Sequence, residues 1–421
     1  MKNPWVSIPR SMSLVRGSPT GGMTSRRPNH THPPVRRTSA AAAAVAAGCD
    51  DPLVLYYRLQ LDFAAGRAGP DDYLKNLRPI VAALWASEYP DVRKVYAVHN
   101  FLAALAGPGR RGPADEVRVW DARYWEAFGR VCRDPDLITQ GEVIELAHIR
   151  EEYLTGAGET REKAYEEVAA RLAAADAPDY TRLVVKGSFL IRHGWDARGS
   201  GTAGTVTPEG FELLGRRMVA AQEALEAAYD LDPDRPHAPS ELIFVCIGRG
   251  HPRAEMEKWF AAAMTADPDH MKACTLKLEY LHPKWYGDLD DYLGFGWQCV
   301  RTENTAGMLA YAPVNHMLLN DGGWDPMTPA VRARLQSYYS YRLIWQTVDS
   351  ALGVVLRDRP EKTRLLGLRA KFACVCGRYE VARRDLVDLG GNYRDGRFAS
   401  EKEFELYREW AKTGRLPGGG E

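Results

Sequence analysis

Apolar residues recur every three or four positions along most of this chain, the spacing of one buried stripe on an α-helix. The clearest stretch runs from Thr207 to Asp291. Phe211, Leu214, Met218, Ala221, Leu225 and Ala228 form one stripe, with Thr207 as its cap and Pro208 suited to the first turn. This helix is expected to stop at Asp232-Pro233-Asp234, because proline has no amide to continue the ladder and constrains the residue before it. A second helix pair is expected over Ser240 to Gly248 and Pro252 to Ala266, closing on Asp267-Pro268-Asp269, 35 residues after the first Asp-Pro-Asp.

Upstream, Asp51-Pro52 marks the start of a helix with Leu55, Leu59 and Phe63. A second carries Tyr73, Leu77, Val81 and Leu84, and a third Val95, Val98, Leu102 and Leu105. Beyond the Gly107 to Pro113 connector, the pattern predicts helices from Ala114 to Val131, Glu142 to Tyr153, Arg161 to Ala175 and Tyr180 to His193. Gly194 to Val206 reads as a long irregular loop, the kind of connection most often used for function. Downstream, Pro329 opens a helix with Tyr338, Tyr341 and Trp345, and Ser400 with Glu403 forms a capping box for the last one. No strand-like alternation interrupts the series, so the fold class is all-α.

The pair of units ending at the Asp-Pro-Asp sequences resembles the tetratricopeptide repeat, two helices in about 34 residues with a proline after the second. Ala221, Leu225, Ala228 and Pro233 hold its small, large, small and proline positions, and Phe260, Ala263 and Pro268 repeat them. Gly377, Tyr379, Ala382 and Leu386 match the turn of a third unit, which ends on Gly390-Gly391 instead. The expectation is a helix-turn-helix repeat solenoid, in which each pair buries its apolar face against its neighbours. It divides the chain into a disordered or leader segment (1–49), an N-terminal helical region (50–160) and a tetratricopeptide-like region (161–415).

Charge and composition narrow the functions. Lys plus Arg and Asp plus Glu number 55 each among 421 residues, so no basic field invites nucleic acid. Residues 36–51, Arg-Arg-Thr-Ser followed by an alanine-rich run to Cys49, resemble a lipoprotein signal, although alanine makes a weak apolar core. Lipidation of Cys49 would imply an exported, membrane-anchored adaptor, with translation starting at Met1, Met12 or Met23. The seven scattered cysteines instead suit a reducing compartment, and a cytoplasmic protein is expected. Cys374 and Cys376, His251 with Glu255, and His148 with Glu151 and Glu152 lack the further ligands that a metal needs. The loop glycines lack the lysine of a phosphate cradle. The chain is therefore read as a non-enzyme with no cofactor and no metal.

The sequences Gly-Trp-Asp-Ala-Arg-Gly at 194–199 and Pro-Lys-Trp-Tyr-Gly at 283–287 together resemble an uncharacterised bacterial family, a domain of unknown function, over about residues 160–390. Similar chains tend to have glycine where Tyr286 stands. The resemblance implies tetratricopeptide-type helices, and the family carries no established activity. The motif residues Trp195, Asp196, Arg198 and Trp285 have structural readings as well: an ion pair fixing the loop, and a tryptophan folded over a helix end, with Asp288 capping the next helix.

In the tetratricopeptide register, Lys272, Thr275, Glu279 and His282 face the concave groove, as do Arg364, Gly367, Lys371 and Cys374 in the late unit. The function expected is a protein- or peptide-binding scaffold, with Lys272, Arg364 and Lys371 suited to an acidic segment or a C-terminal carboxylate. The alternative is a helical-toroid hydrolase acting on a glycan, which requires two carboxylates about 5 to 9 Å apart, and Asp196 with Asp288 is the pair nominated.

Overall fold

The computed structural model describes residues 41, 43–64, 68–106, 112–134, 136–199, 203–268, 270–282, 363–390, 393, 398 and 400–415, with scattered positions between 285 and 298 and between 345 and 356. Most of the described residues are helical, with no strand among them. Residues 1–40 of the expected disordered or leader segment (1–49) and most of the helix expected from Pro329 lie outside them.

Local signals account for most helix ends. In α1 (Pro52–Ala64) the Asp51 carboxylate accepts from the amides of Leu53 and Val54. It is followed by α2 (Pro70–Ala86), α3 (Asp91–Leu105), α4 (Ala114–Cys132) and α5 (Leu137–Gly156). Thr160 caps α6 (Arg161–Ala174), and Thr207 caps the 24-residue α8 (Pro208–Leu231), its hydroxyl accepting from Gly210 at 3.0 Å. Then come α9 (His237–Arg249), α10 (Arg253–Ala266) and α11 (Met271–Tyr280). After the stretch outside the description, α12 (Thr363–Val375), α13 (Tyr379–Leu389) and α14 (Glu401–Thr413) complete the series. α9 starts earlier than the expected Ser240, because Pro239 falls in its first turn, where no amide is needed.

The expected loop from Gly194 is a correction. α7, from Asp179 to Arg198, takes in the first five residues of that loop and ends at Gly199, whose φ is +75°. Glycines in helices usually weaken them, but here two of them let α7 and α8 approach. A Cβ at Gly187 would lie 2.5 Å from Leu225, and one at Gly194 would lie 3.2 Å from Leu214 and Met218. Trp195, Asp196 and Arg198 therefore ride on the last turn of a helix.

Consecutive helices pack in pairs, the longest contact being α7 against α8. The odd-numbered helices α3, α5, α7, α9 and α11 also touch in series. Two apolar cores result. One runs from Tyr56 on α1 to Ala238 at the start of α9, so it does not stop near residue 160. The other runs from Ile191 on α7 to Ala411 on α14. Tyr229 on α8 packs against both. No described helix is long and apolar enough to cross a membrane.

Candidate functional site

Helices α5, α7, α9 and α11 lie side by side and carry two rows of functional groups between them. The first row is ionic. Glu151 on α5 is buried and is shared by Arg161 of α6, at 2.9 Å, and Arg192 of α7. Arg161 also bonds Glu152 at 2.8 Å and pairs with Asp196. One turn earlier on α7, the Ser188 hydroxyl donates to Glu241 of α9 at 2.6 Å, and Lys272 of α11 pairs with the same carboxylate. Burial alone would raise the Glu241 pKa. The Lys272 ammonium, the Ser188 hydroxyl and the Arg192 charge outweigh it and hold the carboxyl at about 2.

The second row is aromatic. Trp195 stacks on Phe244 of α9, with ring centroids 5.7 Å apart, and meets the edge of Trp285 at 5.6 Å. The Trp285 indole donates to Glu279 of α11 at 2.6 Å, and the Arg198 guanidinium lies 5.5 Å from the Trp195 ring centre. The backbone turns tightly beneath Trp285. Its amide donates to His282 O, and the Tyr286 hydroxyl donates to Ile247 O at 3.0 Å, fastening the turn to α9. Both tryptophans are half-buried. The two tryptophan motifs, distant in sequence, thus meet at one corner.

Among the described residues, the nominated groove side chains make contacts within the fold. Lys272 is half-buried against Glu241, and the Thr275 hydroxyl donates to Met271 O within its own helix at 3.0 Å. Glu279 is buried beneath Trp285, and His282 packs edge-on against Tyr292 at 5.5 Å. Lys371 is buried, 2.8 Å from Glu403 and over the Phe398 and Tyr407 rings, and burial lowers its pKa against the pull of Glu403. Glu403 therefore serves Lys371 as well as following the Ser400 cap. Gly367 and Cys374 are buried on α12, and the Arg364 side chain lies outside the described residues. The charge pattern missed these partners because each lies on another helix.

The two carboxylates of the hydrolase reading occupy separate settings. Asp196 is paired with Arg161. Asp288 accepts from the Asp291 amide at 2.8 Å, the cap expected of it, and lines a cleft of about 320 Å³ with Arg253, Glu257 and Lys277, which Asp196 does not line. Among the described residues, no group of three or more His, Cys, Asp and Glu is placed to hold a metal ion. Cys246, Cys374 and Cys376 are each pushed up to about 12 by burial. Cys49 is half-buried, its amide bonded to Ala44 O at 2.9 Å.

Comparison of the chain with protein-family models, with curated proteins and with solved structures found no match.

Proposed function

We propose that the protein is a tetratricopeptide-like helical scaffold that binds a protein or peptide partner on its odd-helix layer, at the corner formed by Trp195, Phe244 and Trp285. The observation that carries this reading is the serial contact of α5, α7, α9 and α11, which sets side chains from four helices on one continuous face. Stacked helix pairs build such faces because neither partner buries its apolar side alone. Half-buried tryptophan and phenylalanine rings provide anchors of the type that dominate interface energies. The ionic row keeps the helices in register and includes Lys272, while Lys371 is held separately against Glu403 between α12 and α14. The partner is met through ring surface, not through those cations.

The test is selection of peptides from a random library on the full chain, followed by titration of the tryptophan fluorescence. Selected peptides should shift the emission. Trp195→Phe, which keeps a ring against Phe244, should weaken them about tenfold or more with the helical circular dichroism unchanged. Peptides that bind Trp195→Phe and wild type equally would remove the corner from the reading.

A further inference from the structure

Among the described residues, no carboxylate is bonded to the arginine buried in the connection between α8 and α9. Arg235 is 6% exposed, and its guanidinium lies 4.0 Å from the centre of the Tyr180 ring. Its Nη2 is buried and meets no acceptor, and Asp232 acts on it only through space. The Tyr180 hydroxyl is committed to the backbone, donating to Arg235 O at 3.4 Å and accepting from the Ala238 amide at 3.2 Å. Two positions on, His237 opens α9 with its Nδ1 buried and unpartnered. α5 closes over that ring so tightly that a Cβ at Gly141 would lie 3.2 Å from it.

The groups acting on His237 are His270 from the link between α10 and α11, Arg235 from the connection and Lys272 from α11, which lower its pKa, and Glu241 from α9 itself, which raises it. Glu241 already serves Lys272 and Ser188. Burial and then His270, Arg235 and Lys272 bring the His237 pKa down to about 3. A helix N-terminus adds its own positive end at the same place. A buried charge without a bonded counter-ion is destabilising, and a small anion on Arg235 would relieve it.

We propose that the start of α9 is an oxyanion site, taking one carboxylate or phosphate group on Arg235, with the Nδ1–H tautomer of His237 as second donor. This inference stands apart from the aromatic corner and does not depend on it.

The test follows the melting of the full chain and the resonances of isotope-labelled histidine in inorganic phosphate and, separately, acetate at constant ionic strength. Phosphate, acetate or both should raise the melting temperature and move the His237 resonances, with its pKa rising as the anion offsets the nearby cations. A response to acetate assigns a carboxylate, and a response to phosphate alone assigns a phosphoryl group. Arg235→Gln should raise the half-saturating concentration about tenfold or more, while Arg216→Gln, on the exposed side of α8, should leave it unchanged. No change in melting or in the His237 resonances up to about 50 mM of either anion, or an equal response from Arg235→Gln, would overturn the proposal. Should Arg235→Gln fail to fold, the wild-type His237 titration decides.

Discussion

Lys371 shows how burial changes what a charged side chain is for. Its ammonium, 2.8 Å from Glu403 and nearly out of solvent, joins α12 to α14. Lys371→Glu places two carboxylates together in that setting and is expected to cost about 3 to 5 kcal/mol, the range for breaking a buried pair. Lys371→Met, which keeps the stem against Phe398 and Tyr407 but strands Glu403 where it can still reach water, should cost less. Urea midpoints of the two variants check the order. Acid sensitivity also belongs to single residues. Burial holds His99 at about 4, assisted by the Arg150 charge, and His237 at about 3. Above about pH 6.5 both are neutral in the folded and unfolded chain, so their contribution is fully present there. As pH falls below that value, the unfolded chain binds protons that the folded one refuses, and stability drops by up to about 1.4 kcal/mol per pH unit for each histidine. Glu241 adds to the loss below its unfolded pKa, as its own folded pKa of about 2 is approached. Urea midpoints measured from about pH 7.5 down to 5 should fall, and less steeply in His99→Phe.

At the level of helices, the spacing of apolar residues and the caps were readable in advance, whereas the meaning of glycine was not. Thr207, Ser400 and Asp51 cap the helices they precede, because capping involves only neighbours in sequence. Gly194 looked like a helix stop, and it is a contact point for α8. The distinction depends on what lies across the interface, which local pattern does not contain. Gly187→Ala should destabilise the chain by about 1 to 3 kcal/mol, since the added methyl meets the body of Leu225. Gly215→Ala lies on the exposed face of α8 with nothing within 4 Å and should instead stabilise by up to about 1 kcal/mol. Thermal melts of the pair, moving in opposite directions, test the assignment.

Across the whole molecule, the two cores are joined where Tyr229 packs against both and meets Trp259 edge-on at 5.4 Å. α7 and α8 extend through the junction as the longest paired helices. Unfolding of the wild type should therefore be a single transition, while Tyr229→Ala, which removes the shared ring, should separate it into two. Coincident fluorescence and circular dichroism curves for that variant would show that the helices alone carry the coupling.

The chain's helical character, the helix at each strong stripe and most of the caps follow from residues within a few positions of one another, and such interactions survive in any context. Of the packing positions read from the tetratricopeptide-like spacing, Ala221, Leu225, Ala228 and Ala263 are buried and Phe260 is half-buried. Only tertiary packing determined that Lys272 would find Glu241, that Lys371 would find Glu403, that Trp195 would meet Trp285, and that Arg235 would be buried without a carboxylate. Those outcomes depend on which helices are brought together and on the water removed between them. A side chain's charge is local information, but its counter-charge and its desolvation belong to the fold.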